Sequence, residues 1–266
     1  MALDPDQLKA WADTARAYGG EPAYERARAA GKTKLTYEQW VAVRTPGFKR
    51  QFGDWEAARG VRQLDALAPA NLDGVTPVVG KKAIEDVFRR LVTVTNKADN
   101  RKTIFPVGMA GKIAGHRGFD VGRIVNAFGQ LFSDAVPMTS EAETVRAGHK
   151  AHPEIAGYHH YAGKFEQDGT RYYIRFTVHE MRVRKSKEGP NIAHSSFVSD
   201  VALYRQGVPP NSAGGRVTDP VLTEGSTPLD RRLAQWLAAG NHATICKDVD
   251  PGTGEPILAD THTRSG

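Results

Sequence analysis

One cysteine, Cys246, stands in 266 residues, so an internal disulfide and a cysteine-rich zinc site are both excluded and a reducing compartment is the default. No apolar run approaches the ~18 residues that a membrane helix needs. The opening MALDPDQLKAW has no charged n-region followed by an apolar h-region, so no secretory signal is expected. The pattern GxxxxGK[ST] is missing, which sets aside a phosphate-loop NTPase. His179-Glu180 is not followed by a second histidine at the HExxH spacing, which sets aside that zinc-protease arrangement.

What is present is an ordinary globular composition, 40% hydrophobic and 8% aromatic. Lys and Arg exceed Asp and Glu by 36 to 30, a net charge of +6 spread along the chain. That excess suits a polyanionic partner without demanding one.

The strongest local signal runs from His159 to Arg205. HHYAGKFEQ and TRYYIRFTVHEMR read as strands joined at Asp168-Gly169, a pair that tolerates the positive φ of a two-residue hairpin turn. SFVSDVALYR follows as a third strand. Period-two alternation places Tyr172, Ile174, Phe176 and Val178 on one face with His159, Tyr161 and Phe165. The opposite face gathers Tyr158, His160, Lys164, Arg171, Tyr173, Arg175, Thr177 and His179.

Ahead of it the pattern is helical. Asp4-Pro5 starts a helix over 4–18 with Leu8, Trp11 and Ala15 on one stripe, and another covers 22–30. Thr36 and Gln39 form a capping-box signature, and Thr45-Pro46 ends the helix that follows. Residues 59–74, rich in Ala, Pro and Gly, read as a linker. Lys81–Val92 is an amphipathic helix with Ile84, Val87, Phe88 and Leu91 inward. KTIFPVG reads as an edge strand, because Pro106 cannot donate to a central ladder. A helix is expected from Val121 to about Asp134, capped by Asp120, and 139–154 reads as a loop. The expected class is α+β: N-terminal helices, then an antiparallel β-meander with one or two helices packed on it. The expected units are a helical subdomain (1–58), the linker (59–74), an α+β domain (75–206) and a Pro/Gly-rich tail with one short helix (207–266).

Two stretches carry a resemblance. TPGFKRQFGDWEAA, from Thr45 to Ala58, looks like the TP-x-FK-x-WFGDW segment of very large phage and prophage polyvalent proteins, departing from it at Gln51. It marks that setting and carries no chemistry of its own. The segment from Lys112 to Arg205 resembles phage versions of the barnase–EndoU–colicin–RelE nuclease fold and related polyvalent-protein-associated domains. The carriers are Lys112 and His116 before a helix ending in LFSDAVPM, and GYHHYAGKF…DGTRYYIRFTVHE.

The resemblance implies a metal-independent endoribonuclease, a toxin or effector domain of phage or prophage origin with no cofactor. The ribose 2′-hydroxyl attacks the neighbouring phosphorus and leaves a 2′,3′-cyclic phosphate. Such a reaction needs a base, an acid and cations on the phosphorane. Mapped here, His116 and His160 are the acid–base candidates, Lys112 and Arg175 the phosphate groups, and Thr177 a hydrogen bonder. Tyr158, Tyr173 and Arg171 are the substrate-binding candidates, a tyrosine stacking a base. The expected partners are RNA and an immunity or carrier protein, with no membrane, in a bacterial or phage-associated cytoplasm or after delivery to a target cell.

The same residues have plainer readings. Strand histidines are usually packed or surface groups, and arginines on a strand face blunt an exposed sheet. On that view the chain is a non-enzymatic accessory module of a polyvalent protein, binding a protein or nucleic acid. A metal bound by His149, His152, His159 and His160 is disfavoured, because adjacent strand residues point to opposite faces.

Overall fold

The computed structural model describes residues 5–114, 121–142, 154–181, 196–205, 250 and 252–258. The chain divides into two compact units, Met1–Arg59 with His242–Gly266, and Gly60–Asn241.

The first unit is helical: α1 (Pro5–Ala17), α2 (Gly20–Ala29), α3 (Tyr37–Ala42), α4 (Pro46–Phe52) and the start of α5 (Trp55–Ala66). Thr36 and Gln39 close the expected capping box on α3, each side chain accepting from the other's backbone N–H at 3.3 and 3.0 Å. Thr45 caps α4 with Pro46 in its first turn. Ala15, Tyr24, Trp40 and Val41 form the core. Leu8, expected on the buried stripe, is 53% exposed; Trp11 packs against the core instead.

The Thr45–Ala58 segment has a structural role inside this unit. The Arg44 guanidinium lies 4.3 Å from the Trp40 ring and 4.9 Å from Trp55. It reaches Glu56 at 3.3 Å and Glu255 at 2.9 Å. Lys49 meets Glu56 at 2.7 Å, and the Tyr18 hydroxyl donates to the same carboxylate. Glu255, from a stretch expected to be a tail with little core, is buried and accepts from Thr33 at 2.6 Å.

In the second unit α5 continues to Ala66, so residues 59–66 are helix rather than linker. Then come β1 (Ala70–Asn71), α6 (Lys81–Leu91), β2 (Thr93–Thr95), β3 (Lys102–Ile104), α7 (Met109–Ala114), α8 (Val121–Asn126) and α9 (Phe128–Asp134). The expected single helix over 121–134 is thus two, divided at Ala127. Four longer strands close the order: β4 (Val136–Ala142), β5 (Ile155–Gln167), β6 (Thr170–Met181) and β7 (Ser196–Arg205). Residues 139–142, expected in a loop, therefore belong to a strand.

The class is α+β, as expected, but the sheet is mixed. Its order is β1-β5-β6-β7-β3-β2, with β4 also paired to β5. The β5–β6–β7 meander is antiparallel, and Asp168 and Gly169 turn it at φ of 51° and 69°. β1 joins β5 in parallel and β3 joins β7 in parallel. β3 is therefore internal, and Pro106 lies beyond its last residue, outside the ladder.

Each face of the sheet is covered. Helices α6 to α9 bury Phe88, Ile113, Phe128 and Phe132 against Tyr161, Ile174, Phe176 and Val178. Phe132 meets the Tyr161 ring at 5.2 Å and the Phe176 ring at 5.4 Å. On the opposite face Val61 and Leu64 of α5 pack with Val136, Met138, Ala162 and Tyr173.

Candidate functional site

The strand register gathers the expected outer-face residues as alternation requires. His160 stands opposite Thr177, Tyr158 opposite His179, and Arg175 opposite Ala162. His160, Tyr173, Arg175 and Thr177 are nonetheless buried. His160 Nδ1 lies 3.4 Å from Thr177 Oγ1. Arg175 donates to Asp200 at 2.9 Å, and Arg171 donates twice to Glu166, at 2.9 and 2.6 Å. The Tyr158 ring packs edge-on against His179 at 4.6 Å. Lys112 belongs to α7, which packs through Met109, Ala110 and Ile113 into the core on the other side of the sheet. The sheet thus separates α7 from His160. His116, like His149 and His152, lies outside the described residues.

A second polar group occupies the helix-side face, at the end of the strands. His159 is buried there with 5% of its side chain exposed, between Ser140 of β4 and Glu180 of β6. Ser140 Oγ is 2.7 Å from His159 Nδ1, and Glu180 Oε2 is 2.7 Å from His159 Nε2. The same Glu180 oxygen accepts from Arg101 Nη1 at 2.9 Å, and Arg101 also donates to Ser196 at 3.3 Å. Beside them the Tyr161 hydroxyl donates to Asp99 at 2.6 Å. Glu180 and Arg101 retain 15% and 24% side-chain exposure, more than the 5% of His159.

The turn between β2 and β3 delivers Asp99 and Arg101. Asn96 anchors it, donating to the Phe132 and Ala135 carbonyls at the end of α9 at 2.8 and 2.7 Å. Its own Oδ1 accepts from Ala98 N–H at 3.0 Å, and Asn100 takes a φ of 61°. The β3–β7 pairing then carries Arg101 to the end of β6.

Electrostatics assigns the protons. Burial favours the uncharged form of Glu180, but the hydrogen bond from His159 and the charge of Arg101 outweigh it and hold the carboxyl at about 2. Burial, reinforced by Arg101, pushes the His159 imidazole below its ordinary value. A carboxylate only accepts, so neutral His159 donates from Nε2 and accepts the Ser140 hydroxyl proton at Nδ1. The result is a hydrogen-bonded line: Ser140, His159, Glu180, Arg101.

No family model, no curated protein and no solved structure shows significant similarity to the chain. Among the described residues no three His, Cys, Asp or Glu side chains gather as a metal site, and no helix is long and apolar enough to cross a membrane. His159 and His160 point to opposite faces, as alternation requires.

The signal for this cluster was present in part. His159 and Glu180 both fall on the apolar face by strand parity, and polar residues at inward positions of neighbouring strands call for partners. Nothing local links Arg101 to them.

Proposed function

We propose that the second unit is a metal-independent endoribonuclease-like module, a toxin or effector domain of phage or prophage origin. The supporting observation is that one carboxylate oxygen, Glu180 Oε2, is shared by an imidazole and a guanidinium at 2.7 and 2.9 Å. Base, acid and phosphate-binding cation are the three groups that 2′-hydroxyl attack requires. The resemblance of the hairpin and the Thr45–Ala58 segment to phage polyvalent proteins supports the setting.

In this reading Arg101 grips the nonbridging oxygens of the scissile phosphate. Glu180 takes the proton of the 2′-hydroxyl as its oxygen bonds to phosphorus. On the acid side of the ordinary imidazole value His159 takes up a proton at Nδ1, which reverses its hydrogen bond with Ser140. As the bond from phosphorus to the 5′-oxygen breaks, that imidazolium supplies the proton through the Ser140 hydroxyl to the leaving oxygen. Ser140 and Glu180 lie at the two ends of the His159 ring. A phosphate that engages Arg101 also relieves Glu180 of its positive neighbour, raising its proton affinity when a base is required.

The test is cleavage of RNA by the full chain in EDTA, with 2′,3′-cyclic phosphate ends. Glu180→Gln and Arg101→Met are expected to abolish cleavage while His160→Ala retains it. Loss in His160→Ala alone moves the site to the opposite face, and no cleavage of any RNA by the wild type sinks the enzyme reading.

A second reading, a non-enzymatic accessory module that binds a protein or nucleic acid, is favoured by one observation. Arg101, Arg171 and Arg175 are each ion-paired with a carboxylate of the chain itself. Arginines so neutralised serve the fold itself. Partner binding without RNA cleavage would select this reading.

A further inference from the structure

A β-bulge in β4 aims Ser140 at His159. Val136 stands opposite Ala162 and Pro137 opposite Tyr161; the register then shifts, and Thr139 stands opposite His160 and Ser140 opposite His159. Met138 is the extra residue, packed on the opposite face with Ala162. An unbroken ladder would set Thr139 against His159 and turn Ser140 to the other face. Bulges re-aim side chains in this way beside active sites. This one brings the primary hydroxyl of a half-buried residue to a buried imidazole.

Three adjacent strands thereby hold Ser140, His159 and Glu180 in line, with 2.7 Å on either side of the ring. Held below its ordinary value, the imidazole is neutral at neutral pH, donates from Nε2 to Glu180 and accepts the Ser140 proton at Nδ1. Among the described residues the charged groups around it are Glu180 of β6 and Asp99 and Arg101 of the turn between β2 and β3. A serine hydroxyl is a weak nucleophile until a base receives its proton, and that base needs a third group to fix its tautomer.

We infer that Ser140 is a nucleophile that takes the acyl group of a carboxylic ester, with His159 as its base and Glu180 as the residue that positions the base. Ser140 Oγ bonds to the ester carbon as its proton passes to His159 Nδ1. The tetrahedral adduct collapses, the bond to the alkoxide breaks, and the alkoxide leaves with that proton. Water attacks the acyl-serine by the same route, releasing the carboxylic acid and restoring Ser140. An alkoxide leaves far more readily than an amine anion, so one imidazole suffices for an ester. The endoribonuclease reading uses the imidazolium and this activity the neutral ring, so the two lie on opposite sides of the His159 titration and neither depends on the other.

The probe is a fluorophosphonate, which bonds through phosphorus to an activated serine with loss of fluoride, applied to the full chain and read by intact mass and peptide mapping. One adduct, on Ser140, is expected. Labelling should rise with pH as His159 loses its proton and stay level above 6.5. His159→Gln should slow it about hundredfold. Glu180→Gln should slow it as well: Arg101 holds the amide oxygen, the amide nitrogen donates to Nε2, and the ring proton moves to Nδ1. Ser199→Ala, which removes a hydroxyl bonded to the Thr177 carbonyl, should label like the wild type. The wild type should turn over 4-nitrophenyl acetate and Ser140→Ala should not. Where the His159 or Glu180 variant fails to fold, the site of the wild-type adduct and its pH profile decide. No adduct, an adduct elsewhere, a rate that does not follow the imidazole, or full labelling in His159→Gln would each overturn the inference. Labelled Ser140 without RNA cleavage would sink the endoribonuclease reading alone.

Discussion

His159 and Glu180 meet at 2.7 Å diagonally across two strands, because His159 stands opposite Val178 and Glu180 lies two residues further on the same face. The bond ties acid sensitivity to this end of the sheet. A carboxyl held at about 2 instead of 4.5 contributes stability that is fully present above 4.5 and lost as pH falls toward 2. An imidazole held below 6.5 favours the folded state above 6.5 and opposes it as pH falls below. Denaturant midpoints should therefore fall from pH 7 to pH 5 through His159, and further below pH 4.5 through Glu180. His159→Gln should flatten the first segment, and Glu180→Gln should cost about 1.5–3 kcal/mol at pH 7.

The same protonation states set the pH dependence of RNA cleavage in the endoribonuclease reading. Ionised Glu180 and protonated His159 coexist on the acid side of the ordinary imidazole value, 6.5. Cleavage by the wild type should rise as pH falls below that value. A rate that climbs steadily into alkaline pH would contradict the assigned roles.

Glu56 carries the first unit's charge network. It is buried, and although burial opposes ionisation, Lys49 and Arg44 hold it at about 2. Glu56→Gln removes the carboxylate that Arg44 and Lys49 share while leaving them Glu255 and Asp54 at 2.9 and 3.4 Å, and should cost about 1.5–3 kcal/mol, read as early loss of the near-ultraviolet signal of Trp40 and Trp55. In the wild type this contribution is present above 4.5 and lost as pH falls toward 2.

Gly122 and Gly47 make a matched pair, both helical. A Cβ at Gly122 would sit 2.2 Å from the Val78 carbonyl oxygen and 2.8 Å from its nitrogen, so backbone must move. Gly122→Ala should cost at least about 1–3 kcal/mol in chemical denaturation. Gly47 has nothing within 4 Å, and Gly47→Ala should stabilise by about 0.4–1 kcal/mol.

Gly169 holds the hairpin turn at φ +69° with open space around it. Gly169→Ala should therefore lose only the backbone preference, about 1–2 kcal/mol. A much larger loss of stability would show that the turn contributes more than its dihedral angle.

The Asp168-Gly169 hairpin, the alternation along β5 and β6, the capping box at Thr36 and the start of α4 at Pro46 were all legible in the residues. Each depends on groups within a few positions of one another, where backbone sterics and local hydrogen bonds decide. The parallel pairings of β1 and β3 have no local turn to announce them. Composition marked 59–66 as linker, yet Val61 and Leu64 find an apolar patch at Ala162 and Tyr173, and that burial extends α5 across them. Glu255 reads as tail until Arg44 and Thr33 are seen around it.

For the candidate site, parity alone placed His159 inward and His160 outward. It did not say that the outer residues would be buried, or that the inward histidine would meet Glu180 and Arg101. Alternation determines which side of a strand a residue occupies. Which layer covers that side, and which charge comes to meet it, depends on contacts between residues dozens of positions apart, and those only the tertiary packing decided.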